Sequence, residues 1–321
     1  MRAAIVGAGV SGLACAERLE ALGIKTTLFD KGRRPGGRLS SLSLGDQAWD
    51  IGAPYLIARD PVFCARVARW KRDGLLARWW SGPTGALVGT PAMSSLVEAS
   101  SLRLDVRFAS QVQRLYADAK GWRVAGDGFD EGSFDAALVA APAEQAAALL
   151  SLHDLALARE AAAVRSIACW SVMVAFAEPV EWEPAFLRDC PPIAWAARNN
   201  TKPGRPDGEC WVIQANPHWS RTNIEREATD VSGQLLAAFG HVTGASLPAT
   251  TFLKAHRWRY AHPRSEQEIL PWNASLRLGA CGDWCHAPTI EGAWLSGNAL
   301  AETVAGTLLG IEREDPLESI S

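Results

Sequence analysis

The stretch that decides the fold of this chain is Ala3-Ala4-Ile5-Val6-Gly7-Ala8-Gly9-Val10-Ser11-Gly12. Its first four residues are an apolar run typical of a buried parallel strand, and the six that follow have the pattern G-x-G-x-x-G. Apolar residues then recur at helical spacing up to Leu22, and Gly23 marks the end of that helix. A second short strand ends at Asp30. This order of strand, glycine loop, helix, strand and acid predicts a dinucleotide-binding βαβ unit.

Each part of this pattern has a role in holding a pyrophosphate. Gly7 permits the tight turn, Gly9 lets the backbone approach the phosphates, and Gly12 lets helix and strand pack closely. The N-terminus of the helix offers unpaired N–H groups and the positive end of its dipole to the phosphates. Asp30 is then expected to accept hydrogen bonds from ribose hydroxyls.

The residues around and after Asp30 bear on which dinucleotide binds. The Asp30 carboxylate repels the 2′-phosphate of NADP, whereas the basic residues that follow attract it, which leaves the choice open at this point. Those basic residues are Lys31, Arg33 and Arg34. The segment Arg34-Pro35-Gly36-Gly37-Arg38 has the form R-x-G-G-R. Its paired glycines let the backbone pass close to a cofactor, and its arginines suit a phosphate or a carbonyl edge.

The C-terminal part of the sequence supplies a complementary pattern. Residues 276–281 predict a strand that leads into Gly282-Asp283-Trp284, and an apolar helix is expected over residues 289–309. Asp283, at the end of a strand, is expected to bind a ribityl or ribose hydroxyl. The start of the helix, near Gly292, directs its positive dipole end at a group that gains negative charge, as a reduced flavin ring does.

Composition excludes several classes of protein. The chain has 321 residues and a formal net charge of −3, so it lacks the basic surface that nucleic acid or an anionic membrane attracts. Its seven cysteines are scattered and odd in number, which favours free thiols in a reducing cytoplasm over a disulfide framework. Outside the first strand and helix, no apolar run is long enough to cross a membrane. We find no zinc-type spacing, serine nucleophile elbow or P-loop, and therefore expect no metal site.

A second candidate site comes from the strand predicted around His256. Alternation places four of its side chains on one face, namely Lys254, His256, Trp258 and Tyr260. This set combines aromatic and titratable groups, as a wall opposite a flavin would, and a core-facing aromatic row is the alternative. Nine of the 14 tryptophans lie between Trp170 and Trp294. That enrichment favours a pocket for a flat aromatic ligand, although a single tryptophan more often fills a core.

Motifs along nearly the whole chain resemble those of one family. The matching stretches are Arg34-Pro35-Gly36-Gly37-Arg38, Asp50-Ile51-Gly52-Ala53-Pro54-Tyr55, Trp219-Ser220-Arg221, His256-Arg257-Trp258-Arg259-Tyr260-Ala261, and Gly282-Asp283-Trp284-Cys285 with Glu291-Gly292-Ala293-Trp294. With them the chain resembles the flavin amine oxidase superfamily, and more closely the bacterial renalase-like proteins. The resemblance implies a tightly bound FAD. It also implies a discontinuous Rossmann-like FAD-binding domain and an antiparallel-sheet substrate domain, of the p-hydroxybenzoate hydroxylase and amine oxidase type.

The motifs and the resemblance together name the candidate site residues. Those expected to bind the cofactor are Gly7, Gly9, Val10, Ser11, Gly12, Asp30, Lys31, Arg38, Gly52, Ala53, Asp283, Glu291, Gly292 and Ala293. Those expected to serve catalysis at the substrate are Tyr55, His256, Trp258 and Tyr260. The chain departs from the family at Pro54-Tyr55-Leu56-Ile57, where relatives have Gln-Tyr-Phe-Thr. It therefore lacks an amide and a hydroxyl near the expected flavin.

The nucleotide-binding motifs lie towards both ends of the sequence, which predicts an interrupted FAD-binding domain. Its expected limits are 1–60, 90–150 and 271–321, and those of the substrate domain are 61–89 and 151–270. Helices are expected at 61–72, 90–102, 143–150 and 217–240, and strands at 136–141, 167–177, 193–198, 209–215 and 252–261. An antiparallel meander is expected from 103–108, 111–116 and 122–125. Residues 199–208 predict a solvated hairpin loop, with a mobile lid as the alternative.

Three functions are open on the sequence. The resemblance implies oxidation of NAD(P)H isomers with a misplaced hydride, by hydride transfer to flavin N5 with O2 as acceptor, which needs positioning more than acid–base help. The second is an FAD-dependent oxidase or desaturase of an amine or another small metabolite. Amine oxidation favours an active site with a lysine near the flavin. Of the six lysines, only Lys254 lies in a strand suited to that position. The third, a binding protein without turnover, is disfavoured by the intact nucleotide motifs. We expect a cytoplasmic enzyme with small-molecule partners, and neither nucleic acid nor membrane.

Overall fold

The chain folds as two units, and each is assembled from separate stretches of sequence. The computed structural model describes residues 1–264 and 268–310. The described residues of the first unit are 1–35, 100–164 and 268–310, and those of the second unit are 36–99 and 165–264. The domain limits expected from the sequence remain a prediction, and their parts 265–267 and 311–321 lie outside the described residues.

A six-stranded sheet organises the first unit, with strands and helices numbered in chain order. Its strands are β1 (Arg2–Val6), β2 (Lys25–Phe29), β7 (Asp105–Arg107), β11 (Ala136–Val139), β17 (Trp272–Asn273) and β18 (Leu278–Ala280). The order across the sheet is β17-β18-β11-β1-β2-β7. β17 runs antiparallel to β18, and the other neighbouring pairs are parallel. β1 and β11 are short, apolar and almost wholly buried, as strands of a parallel sheet covered on both faces must be.

The helices of the first unit, within the described chain, pack in pairs. They are α1 (Val10–Ala21), α4 (Ala143–Leu150), α5 (Leu155–Ala163) and α8 (Ile290–Leu309), with α1 against α8 and α4 against α5. The Asp154 carboxylate caps α5 by accepting hydrogen bonds from Ala156 N at 2.8 Å and Leu157 N at 3.1 Å. The helix predicted at 143–150 is confirmed, and the helix predicted from residue 289 begins at Ile290.

A three-stranded antiparallel sheet also belongs to the first unit. Its strands are β8 (Val112–Asp118), β9 (Gly121–Gly126) and β10 (Phe129–Phe134), in the order β10-β9-β8. The predicted meander is right for β8 and β9 and wrong for 103–108, where β7 pairs in parallel with β2. Alternation indicates a strand without indicating its partner, which explains the error. Sequence reasoning also omits β10, although Asp127-Gly128 before it is a hairpin-turn signal.

The second unit is built on a five-stranded antiparallel sheet. Its strands are β12 (Arg165–Phe176), β13 (Phe186–Cys190), β14 (Ile193–Arg198), β15 (Cys210–Ala215) and β16 (Thr250–Arg264). The order is β13-β14-β15-β12-β16, which makes β16 an edge strand. All four strands predicted in this region form, with ends that differ by a few residues.

The two faces of this sheet bury different partners. One face packs against helices α6 (Pro217–Thr222) and α7 (Ala228–Thr243), over a core that includes Trp170 and Trp211. The other face packs against Trp49, which comes from the hairpin of β3 (Ser41–Leu44) and β4 (Gln47–Asp50). The Nε1 atoms of these three buried indoles donate to backbone carbonyls or to Glu209 at 2.8–3.0 Å. For these three residues, the interpretation of tryptophan as core filler is confirmed.

The remaining elements of the second unit correct two helix predictions. They are α2 (Pro61–Arg72), β5 (Leu76–Arg78), β6 (Leu87–Gly89) and α3 (Ser95–Ser101), whose last two residues belong to the first unit. α2 is confirmed, whereas the helix predicted from residue 90 begins only at Ser95. The helix predicted over 217–240 is wrong, because the chain forms α6 and α7 with a break after Asn223. In that break Glu225 pairs with Arg257 and Arg259 at 3.1 and 2.7 Å.

The length and apolar content of a helix decide whether it could cross a membrane. Within residues 1–264 and 268–310, no helix is both long and apolar enough to cross a membrane.

Candidate cofactor and substrate sites

The glycine loop joins β1 to α1 through a tight turn. Gly7 has φ 112°, which other residues rarely adopt, and its N–H donates to Phe29 O at 2.8 Å. A side chain at Gly7 would collide with Ala140 O, and one at Gly12 would collide with the Gly7 carbonyl. By contrast, a Cβ at Gly9 would meet no described atom within 4 Å. The space beside Gly9 is therefore open to a ligand that approaches the backbone.

Asp30 ties this loop to the turn that follows β2. Its Oδ2 accepts from Ala8 N at 2.7 Å and its Oδ1 accepts from Gly32 N at 2.6 Å. Each carboxylate oxygen has a second lone pair, so Asp30 can still accept from a ribose hydroxyl. Lys31 is exposed beside it, and its Nζ donates to Gln145 Oε1 at 3.4 Å.

The start of α1 presents backbone N–H groups that no side chain in the described part of the chain caps. Its N-cap is Gly9, and Val10 and Ser11 are its first two residues. The first N–H groups of a helix have no acceptor within the helix, and the dipole places positive charge there. An uncapped helix start beside open space fits a phosphate group.

The glycine loop lies at the carboxyl edge of the parallel sheet. Gly7 follows β1, Asp30 follows β2 and Gly282 follows β18, and these strands run in the same direction. β2 lies on one side of β1 and β11 on the other, so the strand order reverses at β1. Ligands of open α/β sheets bind outside the carboxyl ends of the strands at such a reversal.

Asp283 lies at the same edge, where it begins a short 3-10 turn and is 7% exposed. Hydrogen bonds hold both of its neighbours in the chain, one through its backbone and the other through its side chain. Gly282 N donates to Ser296 Oγ at 3.1 Å, and Trp284 Nε1 donates to Ala141 O at 3.1 Å. The first unit therefore brings Asp283 and the glycine loop to one edge of one sheet.

Gly292 lies in the first turn of α8. Thr289 caps this helix, with its Oγ1 accepting from Gly292 N at 2.9 Å, so one N–H of the helix start is already used. A side chain at Gly292 would collide with the backbone of Ala287, and one at Gly297 with the Ser11 carbonyl of α1. Backbone packing therefore accounts for both glycines without a ligand. The neighbours Glu291 and Ala293 are partly buried.

In the second unit, hydrogen bonds bring together Arg38, Gly52 and Ala53. Ala53 N donates to Arg38 O at 2.9 Å, and Arg38 Nη1 donates to Ala261 O of β16 at 3.0 Å. The segment 51–53 is thus fastened to the turn at Arg38, which is itself fastened to the edge strand.

Three side chains of the sheet hold the backbone of Ile51 and Gly52. Ser171 Oγ and Trp258 Nε1 donate to Ile51 O at 2.8 and 3.3 Å. Gln214 Nε2 donates to Gly52 O at 2.7 Å. Sequence reasoning does not single out Ser171 or Gln214. Their signal is a polar residue within an apolar strand, where an unpaired polar group is costly.

His256 lies on β16 with its ring edge-on to Trp258, at 4.2 Å between centroids and 66° between planes. Its ring nitrogens make no hydrogen bond with residues 1–264 or 268–310. Burial first, and the positive charge of Lys254 second, lower the pKa of His256 below its ordinary value. At neutral pH the imidazole is therefore uncharged, with one donor and one acceptor nitrogen.

Tyr260 lies beyond an irregularity in β16. Trp258 pairs with Cys169, and the next paired residue, His262, pairs with Ile167. Three residues of β16 thus oppose one residue of β12, and such a bulge breaks the period of two. The alternation on which the predicted position of Tyr260 depends is interrupted here, and its place on the face of Trp258 remains a prediction.

Tyr55 belongs to a group of four rings that we call the aromatic cluster: Tyr55, Trp79, Phe186 and Trp195. Tyr55 packs on Trp195 of β14 at 5.4 Å, with 48° between the planes. Trp195 stacks on Phe186 at 5.2 Å and 19°, and meets Trp79 edge-on at 6.3 Å and 74°. Tyr55 and Phe186 are partly exposed, whereas the other two rings are buried.

Asp50, the residue before the segment 51–53, belongs to a buried ion cluster. Its Oδ2 accepts from Lys202 Nζ at 2.8 Å and from Arg205 Nη2 at 2.7 Å, and its Oδ1 accepts from Met93 N at 3.0 Å. All three charged side chains are 1% exposed. Burial acts to raise the pKa of Asp50, but the two cations outweigh it and hold this pKa well below its usual range.

The stretch 199–208 does form the predicted hairpin connection, between β14 and β15, but the prediction that it is solvated is wrong for its buried residues. Asn199, Lys202 and Arg205 of this stretch are buried, and Asn199 Nδ2 donates to Ala48 O at 2.9 Å. The polar composition indicated exposure to water. The carboxylate that makes burial possible lies 152 residues from Lys202 in the sequence, where local pattern does not reveal it.

Comparison with known proteins connects the first stretch of the chain to dinucleotide-binding proteins. Residues 5–67 match the family model of the NAD(P)-binding Rossmann-like domain. The neurosporene-forming phytoene desaturase of Rhodobacter capsulatus is 46% identical over 59 residues, which are 18% of this chain and 11% of the desaturase. The chain therefore matches only a small part of this curated relative, in the nucleotide-binding region.

Solved structures share the fold over almost the whole chain. A candidate protoporphyrinogen oxidase from Exiguobacterium sp. 255-15 has a TM-score of 0.76 at 13% identity, over 95% of this chain and 98% of that one. Wild-type putrescine oxidase bound to putrescine has a TM-score of 0.69 at 13% identity, over 95% and 99%. At these identities the likeness shows the fold alone. The predicted fold class, a Rossmann-like domain with an antiparallel-sheet domain of the amine oxidase type, is confirmed.

Proposed function

We propose that this chain is an FAD-dependent oxidoreductase that oxidises dihydronicotinamides, in particular isomers of NADH and NADPH with the hydride at the wrong ring carbon. The observation that carries the proposal is the uncapped helix start beside open space at Gly9, in a chain that also bears an aromatic face around an uncharged His256. When bound, FAD supplies the acceptor for the substrate hydride and passes the two electrons on to O2.

The first unit supports binding of FAD through four features. Open space at Gly9 admits the pyrophosphate, the first N–H groups of α1 bind it, and Asp30 accepts from the adenosine ribose. Asp283 and the helix start near Gly292 are proposed for the ribityl chain and the pyrimidine edge. A positive helix end there stabilises negative charge by about 0.3–2 kcal/mol. Arg38, Gly52 and Ala53, in the second unit, remain predicted cofactor residues.

Charge on the second unit supports a neutral or anionic substrate over an ammonium ion. The strand register places His256, Trp258 and Lys254 on one face of the sheet, and none of the described side chains that share this face is a carboxylate. A protonated amine would meet the positive charge of Lys254 with no carboxylate of the sheet to pair with, whereas the phosphates of dihydronicotinamide nucleotides would be attracted to that charge. Oxidation of such a ring needs placement more than a strong base, and an uncharged imidazole supplies one hydrogen bond for that placement.

An FAD-dependent amine oxidase or desaturase of a small metabolite is the second candidate. The fold shared with putrescine oxidase and the similarity to a desaturase in the nucleotide-binding region favour it. Under this alternative His256 acts as a base, and its lowered pKa keeps the imidazole unprotonated and able to accept a proton at neutral pH.

Rapid mixing in the absence of oxygen separates the candidates. The purified holoprotein is mixed with each dihydronicotinamide isomer and with a panel of amines that includes putrescine, while flavin absorbance is followed. We expect the isomers to bleach the flavin and hydrogen peroxide to appear when oxygen is admitted. Bleaching by an amine and by none of the isomers would overturn the proposal in favour of the second candidate. A protein that binds no flavin would overturn both.

A further inference from the structure

Trp195 has a fully shielded indole N–H with no acceptor among the described residues, unlike Trp49, Trp79, Trp170 and Trp211 of the same unit. Its side chain is 8% exposed, and Nε1 is shielded from solvent without a hydrogen-bond partner among the described residues. Buried tryptophans usually find a partner for this group. Trp49, Trp170 and Trp211 follow that rule in the same unit, at 2.8–3.0 Å. The unpaired N–H of Trp195 is a reason to look for a missing acceptor.

The strand register places Trp195 in one row with His256. Trp195 pairs with Gln214, Gln214 with Ser171, and Ser171 with His256, so the row crosses four adjacent strands. The two middle side chains are committed to the backbone of the segment 51–53. At a spacing of about 4.8 Å per strand, the two ends of the row are roughly 14 Å apart at their Cα atoms. The uncommitted polar groups of the row are thus its two ends.

Irregularities in the strands flank both ends of this row. The register of β14 against β15 shifts between Ile193 and Trp195, and that of β16 against β12 shifts beyond Trp258. Bulges of this kind re-aim side chains and are common beside ligand sites. The position of Trp195 next to one of them is a second observation, independent of its unpaired N–H.

The aromatic cluster around Trp195 defines what kind of molecule fits. Tyr55 and Phe186 lie on Trp195 at 5.4 and 5.2 Å, and both are partly exposed, so they supply apolar walls for a flat ring. An indole N–H among such walls selects a ring that carries an acceptor atom. A protonated amine offers donors and no acceptor, so it cannot pair with this group.

We infer that Trp195 is a specificity residue that reads a carbonyl oxygen on a planar ring substrate, with its indole N–H as the donor. This inference rests on the proposed function, under which the carbonyl belongs to the carboxamide of a dihydronicotinamide. Trp195 acts in binding and takes no part in hydride transfer. Its loss therefore affects the dissociation constant and KM of ligands that carry the carbonyl, and leaves kcat largely unchanged.

Substitution of Trp195→Phe in the holoprotein tests this inference, because it keeps an aromatic ring and removes the N–H. Nicotinamide and its carbonyl-free ring, pyridine, are titrated while flavin absorbance reports binding. We expect nicotinamide to bind about 5- to 150-fold more weakly to the variant, since a buried donor pairs with the carbonyl in one protein and not in the other. Pyridine shares the ring nitrogen of nicotinamide and lacks only the carboxamide, so it should bind equally to both proteins, and an equal weakening of both ligands would assign the N–H to the ring nitrogen and overturn the inference. Trp182→Phe, on a ring that packs at the opposite face of the sheet, is the matched control and should change neither affinity.

The outcomes separate this inference from the proposed function. If Trp195→Phe keeps its flavin and binds nicotinamide as the wild type does, the inference is overturned, even when dihydronicotinamides reduce the flavin. If no dihydronicotinamide reduces the wild-type flavin but nicotinamide affinity still depends on Trp195, the proposed function fails and the carbonyl-reading role stands. If the variant does not fold, the wild-type indole N–H resonance, assigned through its contacts with Tyr55 and Phe186, gives the answer. It should shift with nicotinamide and not with pyridine, and an unmoved resonance would overturn the inference.

Discussion

Asp50, Lys202 and Arg205 form a cluster in which two buried cations share one carboxylate. Loss of the Asp50 charge leaves both cations uncompensated, whereas loss of the Lys202 charge leaves a neutral pair. We expect Asp50→Asn to lower the free energy of unfolding by about 3–5 kcal/mol, and Lys202→Met to lower it by clearly less. Urea denaturation measures both, with the exposed Glu178→Gln as the control. A larger loss in Lys202→Met than in Asp50→Asn would contradict this account.

The same residue predicts how stability depends on pH. The pKa of Asp50 in the folded protein is lower than the value of about 3.9 in an unfolded chain, so the ionised carboxylate stabilises the folded state. This stabilisation is complete above pH of about 4 and is lost as the pH falls toward the folded pKa. Below that pH, we expect the free energy of unfolding to fall more steeply in the wild type than in Asp50→Asn. Denaturation curves at a series of pH values provide the measurement, and equal slopes would reject the prediction.

His256 distinguishes placement of the substrate from base catalysis. If it only positions the ring, His256→Ala should slow flavin reduction by dihydronicotinamides about 10- to 1000-fold, since a misplacement of about 1 Å costs around 100-fold. The pH profile should keep its shape. If His256 is the base for another substrate, its loss should remove one ionisation from that profile. Rapid-mixing kinetics across pH decide this, with the exposed His241→Ala as the control. Unchanged kinetics in His256→Ala would show that His256 neither positions the substrate nor acts as a base, and serves only in packing.

Helices α1 and α8 are in close contact at Gly297, where an added side chain would collide with the Ser11 carbonyl. We expect Gly297→Val to push the helices apart and lower the free energy of unfolding by about 1–3 kcal/mol, the cost of overpacking. Since α1 carries the glycine loop, the flavin content should fall with it.

A glycine without such a neighbour supplies the control for this prediction. Gly233 lies within α7, where an added Cβ would meet no described atom within 4 Å. Gly233→Ala should raise the free energy of unfolding by about 0.5–1 kcal/mol, because glycine is the poorer helix former. Denaturation of both variants in urea measures the contrast. Equal effects at Gly297 and Gly233 would show that the contact between α1 and α8 is not tight.

Cofactor binding links the nucleotide site to the stability of the whole molecule. A ligand that binds only the folded state stabilises it by about 2.7 kcal/mol when its concentration is a hundredfold above Kd. We therefore expect the holoprotein to melt at a higher temperature than the flavin-free protein. Asp30→Ala should lower both the flavin content and this difference in melting temperature, because Asp30 is proposed to bind the ribose. The flavin-free variant must be melted as well, since Asp30 also ties Ala8 and Gly32. Full flavin retention with unchanged affinity would count against the assignment.

Local signals allowed the sequence by itself to determine the β1–α1–β2 unit, the helix α2 and four of the five strands of the sheet in the second unit. The glycine spacing, the buried strand and Asp30 all lie within one short stretch, and one loop geometry requires all of them together. Alternation likewise predicted the strand of His256 and placed it beside Trp258, because neighbours of the same face are two residues apart.

Only the tertiary structure decided which strand pairs with β7, that Lys202 and Arg205 are buried, and that the N–H of Trp195 has no acceptor within residues 1–264 and 268–310. Each of these features depends on contacts between residues far apart in the sequence, and local periodicity does not indicate such contacts. Lys202 was expected in water because lysine is charged, yet the carboxylate of Asp50 makes its burial tolerable. The periodicity of the sequence also cannot predict the bulge in β16, since the bulge arises from pairing with β12 and not from the order of residues within the strand.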